Sequence, residues 1–327
     1  MSLLLSRLSK LSSLRTLALR NLTARSFSTS FMKTLPSSTR STLRNGDVGH
    51  LEIFKYPHGE LVTEPGPIGS SSGWVATLKE GVVCLQDDQN PNEPDTNRKR
   101  ISLPPLVTLP HCQTQVVTNM AMSSTCPEDE DCVVAVKFLG PQLSLCRPAR
   151  KNSEWTNIRI TDPSFFNSRV MYSTRDEMFS MPASGGAYIG SWNLGEDTHN
   201  HKLNQLRFLN IPEMVQSEWE LLNSYCTSEH LVEFGPTGET FLVKWYTKSN
   251  CRRKGRVETQ RFMVFKIDEK GNAVYTTDIG DRCILLLPNP KAEAFCVQAS
   301  SCEDIKTNPN IIFFRGIDDY GLVYLRD

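Results

Sequence analysis

The amino-acid sequence predicts an all-β fold, and three observations support that prediction. Short runs of apolar and β-branched residues follow one another along most of the chain, separated by turns rich in Gly, Pro, Asn and Asp. Only residues 213–223 have a helix-like pattern, and that segment is brief. Short strands at a spacing of about 8–12 residues are typical of sandwiches, barrels and propellers. At ~40–45 residues per four-stranded blade, a domain of roughly 280 residues is expected to be a β-propeller of six or seven blades.

The clearest predicted strands form a three-stranded meander in the first half of the chain. Residues 132–139 are apolar and β-branched, and Gly140-Pro141 ends the run. Residues 143–147 then alternate between apolar and polar side chains, and residues 155–160 follow after a polar turn. Alternation with a period of two predicts strands that each have two distinct faces.

The second half of the chain repeats this pattern. Two hairpins are predicted from apolar runs that flank Gly-containing turns, 230–234 with 240–246 and 262–267 with 273–279. The remaining predicted strands are shorter and more isolated: 187–194, 206–211, 283–287, 295–297, 311–314 and 322–324.

The first 46 residues are basic and contain no acid. An Arg-rich, Ser-rich and acid-poor composition is typical of an organellar transit peptide, here expected to be disordered or weakly helical. Arg25 stands two residues before Phe27, which resembles the mitochondrial processing motif and predicts cleavage between Phe27 and Ser28. We expect a transit peptide at 1–27, a flexible lead-in at 28–46 and the propeller at 47–327. The basic residues concerned are Arg7, Lys10, Arg15, Arg20, Arg25, Lys33, Arg40 and Arg44.

The predicted destination is the mitochondrial matrix, with chloroplast or dual targeting as the alternative. A secretory signal would need an apolar core of about 7–15 residues, and the longest uninterrupted apolar run here is Leu3 to Leu5. The other interpretation is a disordered basic arm that touches nucleic acid.

Charge and hydropathy exclude two further classes of protein, those that bind nucleic acid and those associated with a membrane. Removal of residues 1–27 would leave 31 basic and 36 acidic residues. A mildly acidic protein gains little affinity for phosphate backbones, so nucleic-acid binding is not expected. No segment approaches the ~20 apolar residues of a membrane span, so no membrane association is expected.

The ten cysteines predict no metal site, because none of them forms a Cys-x-x-Cys pair. Cysteines within apolar strands behave as small hydrophobic residues, so free structural thiols are expected. His199 and His201, near Glu196 and Asp197, could share a strand face and bind zinc. The segment is wholly polar, however, and a solvated loop is the preferred interpretation. No cofactor is expected.

The segment Gly69–Gly73 formally matches Gly-x-Ser-x-Gly, the nucleophile elbow of hydrolases. That elbow needs a strand before the Ser and a helix after it, whereas Pro65-Gly66-Pro67 precedes this one and a strand-like run, 74–78, follows. A tight turn at the beginning of a blade is therefore predicted, and no catalytic residue is assigned.

Two charged runs are also expected to be solvated loops. Residues 252–256 are the densest basic run and could meet an acidic partner or RNA, but the run has no interleaved aromatic residues for base stacking. Residues 128–131 are its acidic counterpart.

Several segments, taken in order, resemble the plant KIB-type β-propeller family, long catalogued as domain of unknown function 295 and associated with F-box proteins. The similarity begins at about residue 50 and continues to the end of the chain. The segments are Gly69–Trp74, Ile101–Leu106, Asp131–Val136, Cys146–Pro148, Trp155-Thr156, Phe265–Asp268 and Gly280–Arg282.

The sequence differs from many members of that family before the propeller. Those members carry an F-box helical module that joins a ubiquitin-ligase complex, and here the predicted presequence and lead-in occupy that place. The resemblance is therefore closest to an organelle-targeted branch that lacks the F-box.

The resemblance implies that the propeller binds proteins, which in relatives include kinases or ubiquitin-ligase clients. We expect a non-enzymatic interaction scaffold inside mitochondria, with an unidentified protein partner besides the mitochondrial import machinery. The alternatives are an F-box-like substrate-recognition adaptor of a ubiquitin-ligase complex, and a propeller enzyme that uses its central channel.

Overall fold

The computed structural model describes residues 39–43, 51–55, 67–88, 96–109, 112, 116–193, 201–250, 256–287, 293–301 and 309–325. Their secondary structure consists of strands, one α-helix, α1 (Gln216–Asn223), and three short 3-10 turns, Pro163–Phe165, Ser184–Gly186 and Ala299–Ser301. The strands are β1 (Thr39–Leu43), β2 (Leu51–Lys55), β3 (Gly69–Ser71), β4 (Trp74–Lys79), β5 (Val82–Asp87), β6 (Arg100–Pro105), β7 (Val117–Met122), β8 (Val134–Phe138), β9 (Gln142–Cys146), β10 (Thr156–Arg159), β11 (Met171–Ser173), β12 (Met178–Pro182), β13 (Tyr188–Trp192), β14 (Lys202–Gln205), β15 (Arg207–Leu209), β16 (Cys226–Phe234), β17 (Glu239–Asn250), β18 (Arg256–Ile267), β19 (Asn272–Tyr275), β20 (Arg282–Leu286), β21 (Phe295–Gln298), β22 (Ile311–Arg315) and β23 (Tyr320–Tyr324).

The first three blades are separate four-stranded antiparallel meanders. They consist of β3–β6, β7–β10 and β11–β14, each in chain order. The fourth blade, β16–β19, is also an antiparallel meander, but it belongs to an eleven-stranded sheet. That sheet continues from β16 through β21, β20, β22, β23 and β2 to β1, while β15 pairs in parallel with β19.

Five innermost strands surround one axis. Strand β3 contacts β7, β7 contacts β11, and β11 contacts β16. Strand β16 pairs in parallel with β21 through Phe234 and Cys296. The backbone N–H of Glu293, two residues before β21, donates to the carbonyl of Ser70 in β3 at 2.9 Å, which closes the ring. A closed ring protects the inner sheet edges, and this confirms the predicted all-β propeller class.

The blades are longer than the ~40–45 residues that the sequence-based blade count assumed. Three contacts between successive blades each join residues 51 positions apart: Trp74 with Thr125, Met122 with Ser71, and Asn119 with Val170. Long connections between blades, such as residues 106–116, account for the extra length. The described strands therefore form a ring of five innermost strands. Dividing the domain length by the expected blade length predicts six or seven blades instead.

The hydrophobic core lies between the blades. Successive side chains of a strand point to opposite faces, so each sheet contributes to two clusters. Met120 of β7 packs toward the first blade with Trp74 and Val134, whereas Ala121 packs toward the third blade with Phe179.

Cysteines take part in this packing as predicted: Cys132, Cys146, Cys283 and Cys296 are buried, and all eight cysteines of the described residues are free thiols.

Most predicted elements are confirmed with small shifts of their ends. The three-stranded meander is β8–β9–β10, and the predicted helix is α1. Strands β17 and β18 extend to 12 residues each, because polar residues beyond the apolar runs still pair in the hairpin. Within the predicted lead-in, residues 39–43 form β1, which pairs with β2.

The predicted transit peptide, with its cleavage site between Phe27 and Ser28, lies outside the described residues. None of the helices in the described part of the chain is long and apolar enough to cross a membrane.

Candidate functional site

The two ends of the propeller differ in which connections they carry. Each of the first three blades is a four-stranded meander that runs outward from its innermost strand, so the connection to the next blade lies at the end where the innermost strands begin. We call this end the upper face. It contains the inter-blade connections 106–116, 160–170 and 206–225 and the turns 80–81, 139–141 and 183–187. The opposite end is the lower face.

Exposed apolar side chains are concentrated on the upper face. Leu203 of β14, 50% exposed, is the exception among the large exposed hydrophobic residues of the described part of the chain. Ile317, in the turn between β22 and β23, belongs to the same face because the neighbouring Asp318 accepts a hydrogen bond from the N–H of Val257, where β18 begins. We call the set the apolar rim: Val107 (64% exposed), Val116 (51%), Ile211 (44%), Val215 (64%), Leu221 (49%) and Ile317 (68%).

The innermost strands that carry this face are joined by buried polar clamps. Ser71 Oγ donates to Glu293 Oε2 at 2.5 Å and accepts from the N–H of Met122 at 3.0 Å. Glu233 of β16 accepts from Ser173 Oγ at 2.6 Å and from the N–H of Thr174 at 2.9 Å. Buried polar groups with their hydrogen bonds satisfied fix one arrangement of the chain. The clamps therefore hold neighbouring blades in a fixed relation.

The Gly-x-Ser-x-Gly segment forms a strand and a turn, as predicted. Ser70 and Ser71 lie in β3, Ser72 and Gly73 have φ of 53° and 84°, and β4 follows directly. Two successive residues with positive φ make the tight turn of a β-hairpin. The strand–turn–strand context is not that of a hydrolase elbow, and the central serine, Ser71, serves as a clamp residue instead.

Of the two histidines in the predicted pair, His201 lies among the described residues. His201 is exposed, and its ring stacks on Trp192 with centroids 6.2 Å apart. His199, Glu196 and Asp197 lie outside the described residues. No cluster of three metal-ligating side chains occurs among the residues that the structure describes.

The charged runs lie on different faces. Arg256, at the beginning of β18, is exposed on the upper face, and residues 252–255 lie outside the described residues. The acidic residues 128–131 are in the turn between β7 and β8 on the lower face, where Glu128 forms an ion pair with Lys99. Because this pair is exposed, it contributes little stability.

The sequence analysis missed three basic side chains whose pKa values are lowered by burial. Lys137 Nζ donates to the carbonyls of Gly140 and Phe166 at 2.9 and 3.0 Å, and also to that of Phe138. Burial lowers its pKa to about 7. Burial lowers the pKa of His230 to about 3, with the charge of Arg169 as a second cause. Burial also lowers the pKa of Arg169 to about 10.

A cavity of about 540 Å³ lies between the third and fourth blades, and Lys137, Arg169 and His230 are not among the residues that line it. Its wall combines apolar residues such as Leu231 with charged ones, Arg175, Asp176, Lys202 and Asp268. Arg175 and Asp176 pair with each other at 3.0 Å, and Asp268 accepts from backbone N–H groups of its own turn. These two carboxylates therefore have local structural partners.

Comparison with known proteins gives a family and no close relative. Among curated protein sequences, none matches this chain. Among solved structures, a catalytically inactive virginiamycin B lyase from Staphylococcus aureus with quinupristin has 10% identity and a TM-score of 0.31, over 75% of each chain. A streptogramin B lyase has 7% identity and the same TM-score, over 88% of this chain and 97% of that chain. A TM-score of 0.31 is too low to transfer an activity to this protein.

The family assignment rests on the sequence itself. Residues 49–325 match the family described as KIB1-4 beta-propeller, and this range includes every strand from β2 to β23. The chain therefore belongs to the KIB1-4 β-propeller family.

Proposed function

We propose that this protein is a non-enzymatic scaffold that binds a protein partner through the upper face of its propeller, inside mitochondria. The observation that carries the proposal is the position of the apolar rim. Exposed apolar groups collected on one face are typical of protein-interaction sites. Here they come from two inter-blade connections, α1 and one further turn, on a framework held by buried clamps.

The mitochondrial part of the proposal is supported by the acid-free, Arg-rich composition of residues 1–46. The mature protein would then act in the matrix, with the import machinery as a transient partner. The chloroplast, or both organelles, is the alternative destination.

The docking proposal is tested by proximity labelling in plant cells with the full-length protein and a charged variant of the rim. The substitutions Val215→Asp and Ile317→Asp place two carboxylates on residues that are 64% and 68% exposed. Both side chains are exposed, so the variant is expected to fold, and its unfolding temperature should stay within about 2 °C of the wild type. We expect it to lose a consistent set of matrix proteins that the wild type labels.

Leu203→Asp is the matched control, because Leu203 is equally apolar and exposed but lies on β14. It should label the same set as the wild type. Equal loss in the rim variant and in L203D would contradict a docking site on the upper face. Enrichment of ubiquitin-ligase subunits by the wild type would instead support the F-box-like adaptor, the competing function.

A further inference from the structure

Arg169, near the axis of the upper face, has no carboxylate partner among the residues that the structure describes. Arg169 lies in the connection before β11, and its neighbours on both sides are fixed to β7. Asn119 exchanges two hydrogen bonds with the backbone of Val170, at 2.7 and 2.9 Å, and Thr118 Oγ1 donates to the carbonyl of Ser168 at 3.2 Å. The backbone that carries the guanidinium is therefore held in place by the second blade.

The guanidinium itself is largely enclosed and incompletely paired. Arg169 Nη1 is buried and has no hydrogen-bond partner, although the residue as a whole is only half-buried. Desolvation is the cause of its lowered pKa, and no carboxylate among the described residues contributes to it. An unpaired buried charge is costly, because the protein must remove its water without replacing it.

The neighbouring ionisable group does not compensate this charge. His230 of β16 is buried, its Nε2 lies 3.1 Å from Ser228 Oγ, and its ring packs on Trp245. Because its pKa is about 3, the ring is neutral at physiological pH. The guanidinium therefore remains charged beside a neutral ring.

Lys137 provides a contrast within the same molecule. Its ammonium is also buried near the upper face, but three backbone carbonyls accept its hydrogen bonds. Among the described residues, no such acceptor contacts Arg169 Nη1.

We propose that Arg169 anchors an oxyanion-binding site on the upper face, which takes the carboxylate or phosphate group of a ligand. The planar guanidinium fork matches both groups in bidentate geometry, and Arg169 as a residue is only half-buried, so it can be reached from the upper face. The site goes beyond the proposed scaffold function and does not depend on it, since the oxyanion can belong to a free metabolite or to a side chain of a docked protein.

The test is thermal unfolding of the full chain, titrated separately with inorganic phosphate and with acetate at constant ionic strength. Binding to the folded state raises the unfolding temperature in a saturable way, by roughly 2–4 °C at tenfold excess over Kd. Phosphate also stabilises proteins without a site, but that effect does not saturate. We expect a saturable component for the wild type with at least one anion and none for Arg169→Met.

Arg159→Met is the matched control, because Arg159 ends β10 on the same face but is exposed. It should keep the saturable component. Equal titration curves for all three proteins, or no saturable component in the wild type with either anion, would overturn the proposal.

A second measurement separates a ligand site from a structural ion pair. Without added anion, R169M should unfold at the same temperature as the wild type or higher, because it removes an unpaired buried charge. A fall of several degrees would show that Arg169 has a structural partner, and the inference would fail. The relative size of the phosphate and acetate responses identifies which oxyanion the site prefers. All of these measurements use the isolated protein, so failure of partner docking would not affect them.

Discussion

At the scale of single residues, burial and distant neighbours decide what a charged side chain does. Aromatic strand residues are usually buried, and Trp74, Trp192 and Trp245 follow that rule at 4%, 5% and 3% exposed. The sequence analysis could not identify Lys137 or His230. Lys137 is a lone polar residue in an apolar run and His230 stands directly before one, and groups that contact them come from other parts of the chain.

His230 predicts a specific dependence of stability on pH. Its pKa is about 3 in the folded protein, well below the ordinary value of 6.5 that applies after unfolding. Between these values the unfolded chain binds more protons, so this group lowers the free energy of unfolding as pH falls from about 6.5 toward 3. Replacement by Gln, which cannot be protonated, should flatten this part of the curve of unfolding temperature against pH.

His201→Gln is the control for that measurement, because His201 is exposed whereas His230 is buried. Its curve should follow that of the wild type. If H230Q and the wild type lose stability in parallel between pH 6.5 and 4, the imidazole of His230 is not kept neutral by burial.

At the scale of single elements, β3 shows both what the sequence could predict and what it could not. The strand-like run after Gly69–Gly73 predicted a tight turn there, and the positive φ values of Ser72 and Gly73 confirm it. The clamp on the same strand was not predictable, because Ser71 bonds with Met122 in the next blade and with Glu293, 222 residues away. Serine spacing gives no information about partners so distant in the chain.

The clamp predicts opposite effects for two adjacent serines. Ser71→Ala removes the acceptor of the Met122 N–H, and loss of such a buried bond should lower the free energy of unfolding by about 1–3 kcal/mol. Ser70 is equally buried, at 2% exposed, but its hydroxyl has no partner. Ser70→Ala should therefore be neutral or slightly stabilising. Urea denaturation of both variants measures the difference, and similar losses in the two would show that the clamp contributes nothing.

At the scale of the whole molecule, strand content and order were predictable but blade length was not. Apolar alternation is a local property, and it located the strands from β8 to β10 and from β16 to β23, although β17 and β18 extend well beyond their apolar runs. The length of a blade also includes its connections, whose residues carry no periodic signal. The contacts at a spacing of 51 residues became visible only in three dimensions.

At the scale of the whole chain, the predicted transit peptide can be tested separately from the propeller. Residues 1–46 fused to a fluorescent protein should enter mitochondria, because the segment combines eight basic side chains with no acid. A matched fusion with Arg15, Arg20 and Arg25 changed to Glu keeps the length but reverses three charges, and it should stay in the cytosol. The N-terminus of the imported protein should begin at Ser28 when determined by mass spectrometry.

A wild-type fusion that remains cytosolic would contradict the mitochondrial proposal, and one that enters plastids would favour the alternative destination. Because the fusion lacks the propeller, either result leaves the docking surface and the oxyanion site to their own tests.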